Sequence, residues 1–226
     1  MLRAWVVLCA VVVLGGCGSG DDPSKPIRTI EPRNTASSPS PSATASDSLA
    51  CGLVTSKERA SIAGVKLDAV VPVGSQRAGR RCRWVKTLSA PQPALEVVTS
   101  PAKEWVVLLP QLIDRTVVSG RGGELIRRLQ AAKKKVLRGA EKLSDTEACE
   151  MFSLVVLANG GKKDAKELVV FQPTQNGQIM ATVQKCTKGV HTYLTYEEND
   201  LTPSRPLSDA MLRLVKIAHK RAIERL

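Results

Sequence analysis

Four of the six cysteines constrain most strongly what this chain can fold into. Cys51 and Cys82 are 31 residues apart, and Cys149 and Cys186 are 37 residues apart. An even number of cysteines in an exported chain predicts a disulfide framework, and four cysteines allow three connectivities. Buried thiols and a four-cysteine metal site are the alternatives, but no two of the four have the CxxC spacing that is typical of zinc sites.

The N-terminus predicts export. Arg3 supplies a positive charge, and the apolar run 4–14 has the length of a signal-peptide core but is too short to span a bilayer. The following segment, Leu14-Gly15-Gly16-Cys17, resembles a bacterial lipobox, which implies cleavage before Cys17 and a diacylglyceryl thioether on its sulfur. An ordinary secretory cleavage site with an incidental cysteine and an uncleaved membrane anchor are the alternatives. We therefore expect a signal peptide at 1–16 and a lipoprotein anchored by acyl chains at the outer, extracytoplasmic face of the cell membrane.

The segment 17–49 that follows is predicted to be a disordered linker. It is rich in Ser, Thr, Pro and Ala and almost lacks large apolar residues, so it cannot bury enough surface to fold. The rest of the chain can build a core, since apolar residues make up 43% of the sequence. Aromatic residues are only 3%, so this core must be mainly aliphatic.

The folded part shows a faint internal repeat. In each half an Ala-Cys pair lies beside a short helix, a second cysteine lies in or near a strand, and a further strand and a longer helix follow. This order predicts a first half at 50–120, a basic helical connector at 121–143 and a second half at 144–226. It also favours the pairs Cys51–Cys82 and Cys149–Cys186, each tying a helix to the sheet of its own half.

Local signals predict an α+β fold with antiparallel sheets and packed helices. Thr55–Glu58 and Ser144–Glu147 match capping boxes, and Gly64 and Gly160 lie where those helices should end. The segment 190–196 alternates in polarity and should form a hairpin with the strand before Thr187-Lys188-Gly189. Apolar residues at helical spacing predict further helices at 101–118 and 207–226.

The motifs CGLVTSKERASIAG at 51–64 and CRW at 82–84 are similar to the start of an uncharacterised lipoprotein family of high-GC Gram-positive bacteria. Members of that family combine a lipobox, a Ser/Thr/Pro-rich linker, a Cys-Gly-Leu helix start and a Cys-x-Trp strand. The resemblance implies an envelope lipoprotein with an α+β domain. It implies no activity and no functional residues, and the segment 120–143 lies outside it.

No catalytic, metal or cofactor site is predicted. The only two histidines, His191 and His219, are far apart in sequence and have no carboxylate at metal-ligand spacing. We interpret His191 as a residue of a sheet face and His219 as a solvated side chain of a basic helix. The glycines of SGRGGELIRR at 119–128 could precede an anion-binding helix start, but a hinge is the simpler interpretation.

The formal charge of +12 predicts anionic surroundings. Two groups of cations are candidates for contact with an anionic surface, the alternative being a solvated polar face. They are Arg77, Arg80, Arg81 and Arg83 around Cys82, and Arg127, Arg128, Lys133, Lys134, Lys135 and Arg138 on a helix with the apolar stripe Leu125, Ile126, Leu129, Ala132 and Val136. Because an exported chain rarely meets nucleic acid, we expect membrane lipid or an envelope polymer instead.

Two functional hypotheses follow from these patterns. The first is a non-enzymatic binding or accessory module of the envelope, which could serve as a partner or regulator of a membrane protein. The second is an enzyme or carrier that acts on anionic envelope lipid or polymer. The absence of a catalytic motif favours the first hypothesis.

Overall fold

Six strands form one antiparallel sheet in the order β1-β2-β3-β6-β5-β4. The structure, a computed structural model, describes residues 48–72, 80–115, 123–174 and 176–226. The strands are β1 (Ala69–Val70), β2 (Arg81–Thr87), β3 (Ala90–Pro101), β4 (Glu167–Pro173), β5 (Ile179–Thr187) and β6 (Val190–Glu197). The predicted signal peptide, Cys17 and all of the predicted linker except residues 48 and 49 lie outside the described residues.

Six α-helices accompany this sheet in the described residues. They are α1 (Ser56–Ala63), α2 (Ala102–Val106), α3 (Leu109–Arg115), α4 (Gly123–Gly139), α5 (Asp145–Ala158) and α6 (Arg205–Ile223). Short 3-10 turns at Leu49–Leu53 and Ala140–Lys142 precede α1 and α5. The combination of an antiparallel sheet and packed helices confirms the predicted α+β class.

The helix predicted at 101–118 is interrupted. It is replaced by α2 and α3, with Val107 and Leu108 exposed between them. Pro110 explains the break, because in a continuous helix its ring would clash with the carbonyl of Val106 and it could not donate a hydrogen bond to it. At the second position of α3, Pro110 meets neither restriction. Residues 116–118 lie outside the described residues.

The two predicted halves share the sheet, because β3 pairs with β6 from Ala94↔Glu197 to Pro101↔Val190. One face carries the first core, in which Trp84, Leu95, Val97 and Leu194 pack against α6 and the turn Leu49–Leu53. The opposite face carries the second core, formed mainly by α2, α3, α4 and α5. Successive residues of β6 point to opposite faces, so Leu194 and Tyr196 lie in the first core while His191 packs against Trp105 and Phe152 on the other face.

Both predicted disulfides are present, and they lie on opposite faces of the sheet. Cys51 of the 3-10 turn is bonded to Cys82 of β2, and Cys149 of α5 is bonded to Cys186 of β5. Cys82 belongs to the first core and Cys186 to the second. Each bond ties a helical segment to a strand of its own half, as the repeat predicts.

Local signals fold as the sequence indicates. Both capping boxes are complete, with the hydroxyls of Thr55 and Ser144 accepting from the backbone amides of Glu58 and Glu147. Gly64 ends α1 in the left-handed region. Lys188 and Gly189, with φ of 49° and 74°, form the two-residue turn between β5 and β6, which is the geometry that matches strand twist in a tight hairpin.

Candidate functional site: the basic helix and the adjacent cleft

The predicted site residues fall into separate parts of the molecule. The four paired cysteines are structural, and Cys17 and Arg77 lie outside the described residues. The remaining cations lie partly on and beside β2 and partly on α4, a helix that packs against α3 and α5. The two basic clusters of the sequence therefore lie in two different environments.

The cations at β2 are held in ion pairs. Arg81 binds the carboxylate of Glu96 at 2.7 Å, and Arg83 binds Glu197 at 2.8 Å. Arg80 is paired with Glu104 of α2. Glu96 is only 6% exposed, so the guanidinium groups of Arg81 and Arg83 supply the partners that a buried carboxylate requires. This arrangement links β2, β3 and β6 and leaves little charge free for an external anion.

The six cations of α4 are divided among three directions. Lys133 turns toward α3, where its ammonium lies 2.5 Å from the Asp114 carboxylate. Arg128 and Lys135 line a cleft beside α5. Arg127, Lys134 and Arg138 recur at spacings of seven and four residues on the side opposite the buried Leu129, Ala132 and Val136.

This last group forms the outer face of α4, defined here as Arg127, Lys134 and Arg138. All three side chains are exposed. Arg127 has an exposed ion pair with Glu124 one turn earlier, whereas Lys134 and Arg138 have no carboxylate within 4.0 Å in the part of the chain that the structure describes. Ile126, predicted to belong to the buried stripe, is instead 38% exposed. At 100° per residue it lies about a quarter turn from the centre of the buried side formed by Leu129, Ala132 and Val136.

The cleft has a volume of about 570 Å³ and lies between α4, α5 and the turn that leads into β4. Its apolar lining is Ala131, Ala132, Met151, Leu154 and Leu157. Charged side chains surround this lining, with four cations against three carboxylates: Arg128, Lys135, Lys163, Lys166, Glu147, Glu150 and Asp164. The cleft thus combines an apolar wall with a charged margin.

One pair within the cleft is internally neutralised. Lys135 binds Glu147 at 2.5 Å, and Glu147 also accepts hydrogen bonds from Ser144 as part of the capping box. These contacts, first that with Lys135 and then those with Ser144, lower the pKa of Glu147 to about 2. Glu147 is therefore ionised at any physiological pH, and the charge of Lys135 is already balanced.

Lys166 is in a different situation. Its ammonium donates to the hydroxyl of Ser153 at 2.9 Å, and Ser153 is itself buried, donating to the carbonyl of Cys149. No carboxylate lies within 4.0 Å of the Lys166 ammonium among the described residues. A half-buried ammonium that is bound only by a hydroxyl can still accept an anionic partner.

The interpretation of His219 as a solvated residue is wrong. Its side chain is 1% exposed, because α6 turns it toward the sheet, where its ring nitrogens meet the hydroxyls of Thr187 at 2.7 Å and Thr192 at 3.0 Å. Burial, with a smaller contribution from the charge of Lys185, lowers the pKa of His219 to about 4, although Glu167 acts in the opposite direction. His219 is neutral at physiological pH and satisfies the polar groups of two strands.

His191 lies on the opposite face of the sheet, as its place in the alternating strand predicts. Its ring stacks on Trp105 with centroids 4.9 Å apart, and its Nε2 lies 3.2 Å from the side-chain oxygen of Gln184. Burial, with a smaller effect from His219, lowers the pKa of His191 to about 3. Neither histidine reaches the cleft, so neither is placed to transfer a proton to a ligand bound there.

Sequence reasoning missed the cleft and five of its charged or hydroxyl residues, Glu150, Ser153, Lys163, Asp164 and Lys166. The sequence feature that could have indicated the cleft is the basic helix directly before the capping box of α5, because the short connection brings the two helices together.

The described residues contain no group of three or more His, Cys, Asp or Glu side chains that could hold a metal ion. None of the described helices has the length and apolar character needed to cross a membrane.

Comparison with protein-family models, with curated proteins and with solved structures finds no match to this chain.

Proposed function

We propose that this protein is a lipid-anchored, extracytoplasmic lipoprotein of the uncharacterised high-GC Gram-positive family, acting as a non-enzymatic binding or accessory module of the cell envelope. Acylation of Cys17 supplies the anchor, and the outer face of α4 contacts an anionic bilayer. The observation that carries this proposal is the cationic outer face of α4, where Lys134 and Arg138 have no carboxylate partner in the described part of the chain. A membrane-protein partner is the alternative occupant of this face.

Electrostatics supports a role for α4 beside the lipid anchor. Each Lys or Arg held near an anionic membrane surface contributes about 1 kcal/mol, so Lys134 and Arg138, which have no carboxylate partner in the described residues, contribute about 2 kcal/mol together. The two acyl chains of a diacylglyceryl group already attach a protein stably, so the basic face of α4 adds to the anchor and does not replace a missing chain. The exposed Leu137, 67% accessible, lies beside this face and could enter the headgroup region.

A second candidate function is a carrier or enzyme that acts on anionic envelope lipid or polymer. The cleft beside α5 favours it, since apolar walls with convergent charged groups are typical of small-molecule sites. The binding module remains the stronger proposal because neither histidine lies in the cleft.

The anchor is tested by the intact mass of the native protein isolated from membranes, before and after reduction. We expect a chain that begins at Cys17 and carries acyl mass, and that gains the mass of four hydrogens on reduction of the two disulfides. A chain without acyl mass would contradict the lipoprotein assignment and would make nucleic acid a candidate partner again.

The basic face is tested by hydrogen exchange of the membrane-reconstituted protein. In vesicles of phosphatidylcholine mixed with phosphatidylglycerol, peptides from α4 should exchange more slowly than in phosphatidylcholine alone. The triple variant Arg127→Glu, Lys134→Glu and Arg138→Glu should abolish this difference. The control carries the same charge change at Lys57, Arg213 and Lys220, three exposed cations on α1 and α6, and should retain it. Equal protection of α4 in both kinds of vesicle would exclude the bilayer as its partner.

A further inference from the structure

We propose that the cleft between α4, α5 and the turn 163–166 binds a small amphiphile that has an apolar chain and one phosphate head group. The cleft borders the face proposed to meet the bilayer, since Ala131 lies one turn from Arg127 and Lys134, but its cations Arg128, Lys163 and Lys166 do not belong to that face. Binding there depends on the geometry of the cleft and would stand if the outer face of α4 met no membrane.

The apolar chain is accommodated by one wall of α5. Met151, Leu154 and Leu157 are spaced by three residues and therefore share one side of that helix, opposite the small Ala131 and Ala132 of α4. Leu154 and Leu157 are only partly buried, whereas their neighbours Val155 and Val156 are buried. The short side chains of the two alanines leave the space in front of this wall unfilled, and the volume of about 570 Å³ is within the range of small-ligand sites.

The head group is placed by Lys166. Its ammonium is fixed against the buried Ser153 at 2.9 Å, which uses one of its three donor hydrogens and holds the charge at the margin of the apolar wall. Lys163 and Arg128 line the same cleft and, like Lys166, have no carboxylate within 4.0 Å in the described residues. Three cations without ionic partners favour a phosphate, which carries more charge and more acceptor oxygens than a carboxylate.

The carboxylates of the cleft limit which ligands it can bind. Glu147 is paired with Lys135 and so does not compete for Lys166. Glu150 and Asp164 are exposed and carry negative charge at the margin. A polymer with many phosphates would meet this repulsion at several of its phosphates, whereas a ligand with a single head group meets it only once. The charge pattern therefore selects a discrete amphiphile over a polyanion.

The test uses the full chain, held in phosphatidylcholine nanodiscs and labelled with ¹³C at its methionine methyl groups. Met151 lies in the cleft, and Met211 is buried in the first core on the other face of the sheet. Titration with decyl phosphate should shift the Met151 signal saturably and leave the Met211 signal unchanged. Decyl maltoside, which has the same chain and no charge, should produce no saturable shift, and decanoate should bind more weakly than decyl phosphate.

Two variants test the two parts of the site. Lys166→Met should weaken the binding of decyl phosphate by about tenfold or more, because a charge-assisted contact to the head group is lost. The matched control Lys162→Met removes an exposed lysine directly before this turn that does not line the cleft, and it should bind as the wild type does. Ala131→Trp places a large side chain on the exposed surface of α4 inside the cleft and should abolish the Met151 shift while the unfolding temperature is kept.

Three results would overturn the inference. These are wild-type affinity in Lys166→Met, an unaltered Met151 shift in Ala131→Trp, and equal affinity for decyl maltoside or decanoate. Lys166→Met and the ligand comparison change no residue of the outer face of α4, and the Met151 readout does not depend on acylation of Cys17. Failure here is thus distinguishable from failure of the proposed anchor.

Discussion

The two halves of the molecule contain the same local sequence signals, but the helices that these signals start are packed in different ways. Both α1 and α5 begin with a complete capping box, and both halves contain a disulfide to a strand. In α5, eight residues are buried, and the helix lies within the second core. In α1, the only buried residue is Arg59.

The two helices are therefore held in place by different forces. Arg59 donates to the carbonyl oxygens of Leu67 at 2.7 Å and Val54 at 2.9 Å, binds Asp68, and lies over the ring of Trp84. The helix α5 is instead held in place by apolar packing, such as the edge-to-face contact of Phe152 with Trp105. The comparison teaches that a capping box predicts where a helix begins but not what the helix will pack against.

The largest effect should come from Phe152→Ala in α5. Loss of this fully buried ring leaves a cavity beside Trp105 and His191 and should lower the free energy of unfolding by about 4 kcal/mol. Ile62→Ala in α1, where the side chain is only partly buried against the first core, should cost less than half as much. Urea unfolding measures both, and equal losses would show that α1 depends on apolar packing as α5 does.

Replacement of Arg59 should have the next largest effect. Arg59→Met retains an unbranched apolar stem but leaves the carbonyls of Val54 and Leu67 without these donors, and should cost about 3 kcal/mol. The control Arg213→Met, on the exposed side of α6, should change stability by about 0.5 kcal/mol or less. Thermal or urea unfolding decides the matter, and a cost near that of the control would mean that α1 is not held by its arginine.

Acidification should lower the free energy of unfolding, because the two buried histidines stay neutral in the folded protein. Their pKa values in the folded protein, about 3 for His191 and about 4 for His219, are below the ordinary value of an unfolded chain. Below pH ~6.5 the unfolded state therefore binds more protons, so the free energy of unfolding falls as the pH is lowered, by about 2 kcal/mol per histidine at pH ~5.

The contributions of the two histidines, which lie on opposite faces of the sheet, can be measured separately. His219→Gln should remove about half of the pH dependence between pH ~6.5 and ~5, whatever its effect on absolute stability, since only His191 then titrates there. The urea midpoint measured across this range provides the slope. A slope that is unchanged in the variant would show that His219 keeps an ordinary pKa and is accessible to water.

The smallest effects should come from the capping boxes, and they should be equal in the two halves. Thr55→Ala and Ser144→Ala each remove the acceptor of one backbone amide and should cost about 1 kcal/mol. Thr55→Ser and Ser144→Thr keep the hydroxyl and should be close to neutral. A much larger loss for Ser144→Ala would indicate that the cap also orders the cleft through Glu147, which Lys135 binds.

Much of the architecture could be predicted from short segments. The capping boxes, the Lys188-Gly189 hairpin and the alternation of β6 depend on interactions within a few residues, and all three are confirmed. The pairing of Cys51 with Cys82 and of Cys149 with Cys186 was accessible because the order of elements repeats. The break at Pro110 could have been predicted from the same kind of evidence, because proline restricts the preceding turn wherever it occurs.

The sites were less predictable. The sequence places Arg81, Arg83, Arg128 and Lys134 in the same class of basic residues, yet Arg81 and Arg83 bind Glu96 and Glu197, Arg128 lines a cleft, and Lys134 faces outward. Glu197 is 114 residues from Arg83 in sequence, so no local pattern could connect them. Lys166 and Ser153 likewise meet only because α5 packs beside the start of β4.

By itself the sequence determined the class of the fold, the starts of α1 and α5 and the hairpin turn, and through the repeat it favoured the disulfide partners that the structure shows. Only the tertiary structure decided that the two halves share one sheet, that their disulfides lie on opposite faces, that His219 is buried, and that α4 and α5 enclose a cleft. The physical reason is the distance along the sequence over which each kind of interaction acts. Caps, turns and alternation act between neighbouring residues, whereas burial and the pairing of charges depend on which distant segment comes to cover each side chain.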